Sequence, residues 1–117
     1  MATVITHGVV GPRTINAQTG TTYTIVLGDA NKLITMANAS ANTLTIPLNS
    51  SVAFPTGTQI DIQMYGAGVT SIAGAASVTL NGVSAGTGAM TTQYQAVSIV
   101  KQGTDTWTVS GDVGAVA

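Results

Sequence analysis

Hydrophobic and polar residues alternate with a period of two along most of this chain. Because successive side chains of a β-strand point to opposite faces, such alternation predicts strands with one buried face. The segments that show the pattern best are 22–27, 43–46, 59–65, 78–80 and 106–110. The best helical window, residues 28–38, is short, and its Leu33, Ile34 and Met36 fit a strand at least as well.

Turn-forming residues separate these segments at intervals of about ten residues. They include Gly28-Asp29, Asn38-Ala39, Asn81-Gly82 and the glycines of 66–68 and 86–88. This spacing predicts an all-β fold, a single small antiparallel β-sandwich or barrel of about seven to eight short strands. Segment 93–101 has apolar residues on both faces, which favours a central strand that is covered on both sides. Residues 97–101 and 106–110 form a predicted hairpin around Gly103.

The length of 117 residues fits one domain with one core. We expect the β-domain to span residues 19–111, between an N-terminal arm of residues 1–18 and a short C-terminal tail of residues 112–117. Neither end can form a core alone, yet both contain small hydrophobic residues. We therefore expect the two ends to dock as arms on neighbouring molecules.

Charged residues are scarce in this sequence, and their scarcity bears on what the surface of the protein contacts. About 25% of an average domain is charged, whereas here the fraction is 6%. The seven charged residues are Arg13, Asp29, Lys32, Asp61, Lys101, Asp105 and Asp112. Depletion of charge is typical of the buried centre of protein interfaces, so we expect much of the surface to contact other protein. Three scattered cations are too few for binding nucleic acid or an anionic membrane surface.

Other features of the sequence further limit the class of protein to which the chain can belong. Cysteine is absent, which excludes disulfides, thiol nucleophiles and thiolate metal sites. No apolar run approaches the roughly 20 residues of a membrane-spanning helix. The first residues lack the basic and apolar regions of a secretory signal, so we expect synthesis in a cytoplasm.

Candidate catalytic and metal-binding groups are few and isolated. His7 is the one histidine, and the nearest acidic residue in sequence is Asp29. Asp29 begins a stretch that superficially resembles a calcium loop, but no acidic residue closes it, so we predict that its side chain caps a turn. Asp61 interrupts a predicted strand in the outward phase, where it faces solvent or a partner and could pair with Lys32, Lys101 or Arg13. We predict no catalytic, cofactor-binding or metal-binding residues, no cofactor and no enzymatic activity.

Aromatic side chains could form a sugar-binding surface, and threonine side chains could form an ice-binding surface. Trp107 is in phase with buried Val109, which predicts a core position, whereas Tyr65 falls at a strand end in the outward phase and is the better exposed candidate for stacking on a sugar. Thr-x-Thr pairs occur at 22/24, 43/45 and 106/108. We expect them to sit on strands with different surroundings, and they have no fixed repeat. β-Propensity therefore explains them more simply than an ice-binding array.

The chain resembles a β-rich module of tailed-bacteriophage virion proteins, found in head-decoration and tail-fibre proteins. The residues that carry the resemblance are 22–24 (TYT), 29–36 (DANKLITM), 49–60 (NSSVAFPTGTQI), 63–68 (QMYGAG), 78–82 (VTLNG) and 106–112 (TWTVSGD). They are core and turn residues, so the resemblance implies a fold and a virion context without an active site.

The resemblance implies a structural role. Fibre proteins that look like this usually carry the module within a longer chain, whereas here it makes up nearly the whole sequence. We therefore expect a capsid decoration (cement) protein that binds the outside of the major capsid lattice as a homotrimer, at the capsid surface of the virion, after synthesis in the host bacterial cytoplasm. The alternative is a receptor- or glycan-binding tail-fibre or adhesin module that recognises a host surface glycan through Tyr65 or polar loop residues.

Overall fold

A computed structural model describes residues 12–117. This part of the chain forms eleven short strands and one 3₁₀ turn, Leu27–Asp29. The strands are β1 Ile15–Gln18, β2 Thr22–Thr24, β3 Leu33–Met36, β4 Asn42–Ile46, β5 Gln59–Met64, β6 Thr70–Gly74, β7 Thr79–Leu80, β8 Val83–Ser84, β9 Thr87–Met90, β10 Ala96–Gly103 and β11 Thr106–Gly111. The predicted all-β class is confirmed, with more and shorter strands than expected.

The strands form two mixed sheets. The larger sheet has seven strands in the order β1-β3-β5-β10-β11-β7-β8, and the smaller has four in the order β2-β4-β6-β9. Five strand pairs are parallel, namely β1/β3, β3/β5, β2/β4, β4/β6 and β7/β11. The prediction of antiparallel pairing is therefore wrong for this half of the fold. Hydrophobic alternation reports which face of a strand is buried, and it carries no information on the direction of the neighbouring strand.

Three strand-turn-strand units, here called arches, account for most of the parallel pairing. Arch 1 is β1 and β2, arch 2 is β3 and β4, and arch 3 is β5 and β6. In each arch the first strand joins the larger sheet and the second joins the smaller. The arches lie in register, since Gln18 aligns with Met36 and Met36 with Met64. On the other sheet Thr22 aligns with Thr43, and Thr43 with Ser71.

The turns of neighbouring arches approach each other closely. Gly68 donates its amide to the carbonyl of Asn38 (2.9 Å), and the Asn38 side chain donates to the carbonyl of Thr19 (2.8 Å). A Cβ placed on Gly66 would lie 2.4 Å from the Asn38 nitrogen, and one on Gly68 would lie 2.0 Å from the Ser40 oxygen. Only glycine fits at these two positions, because the obstacle in each case is backbone.

One cluster of buried side chains forms the core, and it contains residues of both sheets. Its members are Ile25, Ile34, Met36, Leu44, Ile46, Phe54, Ile60, Ile62, Met64, Ile72, Val78, Leu80, Met90, Val97, Ile99, Trp107 and Val109. The Trp107 ring packs edge-to-face on Phe54, with the ring centroids 5.6 Å apart. The core position predicted for Trp107 is therefore confirmed.

Arch 1 differs from the other arches because its inward positions are polar. Asn16 and Gln18 occupy the half-buried face of β1, opposite Tyr23 of β2. Gln18 donates to the Asn16 side chain (2.8 Å), and Asn16 donates to the Tyr23 hydroxyl (3.0 Å). The apolar core thus ends in a hydrogen-bonded layer, much as a terminal repeat caps a repeat protein.

The described parts of both chain ends contact their own chain. Residues 15–18 of the expected N-terminal arm form strand β1 of the larger sheet. Residues 1–11 of that arm lie outside the described residues. The C-terminal tail contacts its own chain: Ala117 and Thr87 exchange two backbone hydrogen bonds of 3.1 Å each. Val113 and Val116 also pack on the core. The tail therefore lies alongside β9 and packs on its own chain.

The hairpin of β10 and β11 is confirmed by its antiparallel register. Strand β10 lies in the middle of the larger sheet, between β5 and β11. Only one of its faces is fully buried, however, because Val97, Ile99 and Lys101 point inward while Ser98 and Val100 stay half-exposed. The prediction that both faces are covered is not confirmed. Among residues 12–117, no helix has the length and hydrophobicity to span a membrane.

Gly68→Ala should reveal the close approach of the arches. The new methyl group would overlap the Ser40 backbone, and overpacking against backbone should lower the free energy of unfolding by roughly 3 kcal/mol. Gly28→Ala is the matched control, because no atom lies within 4 Å of the added Cβ there. Urea unfolding of both variants tests this, and equal midpoints would contradict it.

Candidate functional site

The seven charged side chains differ in how far they reach solvent. Asp29 and Lys101 are buried, with relative exposures of 1% and 2%. Lys32, Asp61 and Asp105 are half-buried, and only Arg13 and Asp112 are exposed. Asp105 and Asp112 accept hydrogen bonds from the backbone amides of Asn49 and Ala96. The surface of residues 12–117 is therefore even poorer in charge than the sequence indicates.

Asp61 pairs with Arg13, which settles the choice among its three predicted partners. The guanidinium also donates to the carbonyls of Asn31 and Lys32, at 2.8 Å each, and this fixes its position. Burial alone would raise the pKa of the Asp61 carboxyl. Hydrogen bonds from Ser98, Arg13 and Gln59, together with the charge of Arg13, outweigh burial and hold that pKa below its usual range. The pair therefore stabilises the fold above the unfolded pKa, and this contribution is lost as the pH falls through the lowered folded pKa.

A shallow depression of about 370 Å³ surrounds this pair on the outer face of the larger sheet. Its lining residues are Arg13, Leu33, Asp61, Ala96, Val97, Ser98, Ser110 and Gly111. Ser98 donates its hydroxyl to Asp61, and nucleophilic activation would require a base such as histidine. The single histidine of the sequence, His7, lies outside the described residues. The cluster has the geometry of a structural ion pair.

Asp29 is the centre of a buried hydrogen-bonded network. Its carboxylate accepts from the Tyr23 hydroxyl (2.6 Å), from the Asn16 side chain (3.0 Å) and from the Val26 amide (3.0 Å). The bond from Val26 confirms the predicted role of Asp29 as a turn cap. The network also ties both strands of arch 1 to the connection that follows them. Within residues 12–117, no group of three acidic or histidine side chains is placed to hold a metal ion.

Lys101 is a buried cation that the sequence analysis did not find. Its Nζ donates to Asn49 Oδ1 (2.5 Å) and to the Phe54 carbonyl (2.7 Å). These bonds anchor the long connection between β4 and β5 to β10. The signal was present in the alternation, because Lys101 follows Val97 and Ile99 at the inward phase of β10. A lysine in that phase must find polar partners inside the fold.

Two exposed tyrosines form the most prominent aromatic feature of the surface. Tyr65 is 51% exposed, as predicted, and Tyr94 is 60% exposed. Their rings meet edge-to-face with centroids 5.6 Å apart. Tyr94 has a φ of 74°, a left-handed conformation that is rare for a bulky residue and costs about 1–2 kcal/mol. Tyr94 belongs to segment 93–101, for which a strand covered on both faces was expected, and its exposure contradicts that expectation. Its neighbour Tyr65 is 29 positions away in the chain.

Among residues 12–117, the side chains on the outer face of the smaller sheet are all uncharged. Its two rows are Thr22, Thr43, Ser71 and Ala89, and Thr24, Thr45, Ala73 and Thr87. Two of the three Thr-x-Thr pairs therefore lie side by side, whereas the third is on β11 of the larger sheet. The expectation that these pairs have unrelated surroundings is wrong for β2 and β4. Parallel in-register pairing of the arches brings them together.

Searches of family models, of curated proteins and of solved structures found no significant match to this chain.

Tyr23 should titrate far above an ordinary tyrosine. Burial, with the hydrogen bond to Asp29, raises its pKa from 10.0 to about 12. Because the folded pKa is the higher one, the resulting stabilisation is complete below the unfolded pKa and is lost as the pH rises from about 10 to about 12. Absorbance titration of phenolate should show a step near pH 12 that disappears in Tyr23→Phe. A step that persists in this variant would contradict the assignment.

The strain at Tyr94 can be measured with two substitutions that both remove the ring. Glycine adopts positive φ without cost, whereas alanine keeps the strain, so Tyr94→Gly should be more stable than Tyr94→Ala by about 1 kcal/mol. Urea unfolding of the two variants measures the difference. If the alanine variant is the more stable one, the left-handed conformation at this position is wrong.

Proposed function

We propose that this protein is a structural component of a tailed-bacteriophage virion, a capsid decoration protein that binds the outside of the major capsid lattice as a homotrimer. The resemblance of residues 22–112 to virion modules supports the class. The observation that carries the proposal is the uncharged outer face of the smaller sheet, formed by β2, β4, β6 and β9. In this proposal the two sheets form a sandwich with one face for docking.

The chemistry of this face suits a broad, non-ionic contact. Its side chains are short hydroxyls and methyls on paired strands, so binding immobilises few rotatable bonds. Burial of apolar area contributes roughly 25 cal/mol per Å², and lost translational and rotational freedom offsets several kcal/mol of it. Many copies bound to one shell then add their contributions by avidity.

The fold suits a mechanical role. The buried networks around Asp29 and Lys101 tie strand connections to the core on both sides of arch 2. Stabilising a shell against internal pressure requires a rigid clamp, and the decoration protein supplies it by contacting neighbouring capsid subunits. The scarcity of exposed charge means that this association depends little on salt, because few ion pairs are available for screening.

Charge placed on the docking face should disrupt binding. Thr45→Lys introduces a cation in the middle of the smaller sheet, and desolvating it on docking should weaken binding to capsids about tenfold or more. Thr108→Lys is the matched control, since Thr108 is a half-buried outward residue of β11 on the larger sheet. Co-sedimentation of each variant with expanded capsids, at low and high salt, measures the effect.

Three results would contradict the proposal. One is a monodisperse monomer in light scattering that never binds capsids. Another is equal weakening by the two lysine substitutions. The third is steep loss of wild-type binding at high salt, which would indicate an ionic contact.

The second candidate function is a receptor- or glycan-binding module. One observation favours it, the exposed pair of Tyr65 and Tyr94. In that case the protein binds bacterial cells, and loss of the rings abolishes the binding.

A further inference from the structure

We infer that Tyr65, Tyr94 and the glutamines beside them form a binding site for neutral hexopyranose oligosaccharides. The inference rests on the second candidate function and deepens it, because it names the class of sugar that the tyrosine pair would bind. It does not depend on the decoration role. The site lies where the end of β5 meets the loop that leads into β10, since the Tyr94 amide donates to the Met64 carbonyl (2.6 Å).

The two rings are presented to solvent on a fixed frame. Backbone hydrogen bonds hold Tyr65, whose amide donates to Met36 (2.9 Å), and two glutamine side chains brace the carbonyls of both tyrosines. Gln93 Nε2 donates to the Tyr65 carbonyl (3.1 Å), and Gln63 Nε2 donates to the Tyr94 carbonyl (3.2 Å). A preorganised platform loses little conformational entropy when a ligand stacks on it.

The backbone of Tyr94 adds an independent argument. A tyrosine at φ 74° is strained, although glycine would fit without strain. Strained residues cluster at ligand-binding and catalytic sites, where the surrounding structure holds them in place. Here the strain places an aromatic ring that is 60% exposed beside the ring of Tyr65.

The chemistry around the rings selects the ligand. The face of a tyrosine ring stacks on the C–H groups of a sugar ring. The tyrosine hydroxyls and the glutamine amides can donate hydrogen bonds to the sugar hydroxyls and accept hydrogen bonds from them. Asp112 accepts from the amide of Ala96, two residues beyond Tyr94, and its negative charge disfavours anionic sugars. Neutral hexopyranoses fit this combination.

The test uses four probes, the hexasaccharides of N-acetylglucosamine, glucose in α-1,4 linkage, glucose in β-1,4 linkage, and mannose, each at millimolar concentration. Two-dimensional ¹H–¹⁵N NMR of the intact chain should show shifts at residues 63–66 and 93–95 with at least one probe. Tyr94→Gly removes the ring and relieves the strain, so it should fold and bind about tenfold more weakly. Tyr65→Ala should show the same loss.

Tyr23→Phe is the matched control, because it alters a tyrosine of arch 1 and should bind as the wild type does. The absence of shifts at these residues with all four probes would overturn the inference. Unchanged affinity in Tyr94→Gly would also overturn it. If the NMR shifts were confined to the outer face of the smaller sheet, sugar would bind there, and the assignment of the site to Tyr65 and Tyr94 would be overturned.

Discussion

The close stacking of three turns, at residues 19–21, 37–41 and 65–69, sets the geometry on which both sheets depend. Strands in a sheet lie about 4.8 Å apart, so consecutive arches pair on both sides only if their turns keep the same spacing. Gly66 and Gly68 permit this, since a Cβ on either would overlap the backbone of 38–40. This close approach of the turns keeps the strands of arches 2 and 3 in register within each of the two sheets.

The stacking also determines where polar groups lie. Arch 1 ends the row of parallel strands, and there Asn16 and Tyr23 replace apolar residues and meet Asp29 in a buried network. At the middle of the larger sheet, Lys101 finds its partners in the connection between arches 2 and 3. Two of the seven charged residues, Asp29 and Lys101, thus hold strand connections inside the fold.

Much of the fold could be predicted from sequence, because period-two alternation identifies buried faces. It located the strand around Ile60 and Ile62, the hairpin of β10 and β11, and the core position of Trp107. Strand direction could not be predicted, since the arches share no residue repeat and alternation looks the same in both directions. Tyr65 could be identified as exposed, but its pairing with Tyr94 depends on a loop conformation with positive φ that no local pattern of the sequence indicates.

We propose different roles for two surfaces: the uncharged outer face of the smaller sheet docks on the capsid, and the pair of Tyr65 and Tyr94 stays in solvent. A cryo-electron microscopy reconstruction of particles that carry this protein measures both orientations at once. The account predicts three copies around a local symmetry axis, with Thr43 and Thr45 against the capsid lattice and Tyr65 and Tyr94 facing outward. Particles in which the smaller sheet faces solvent, or whose capsids lack the protein, would contradict it.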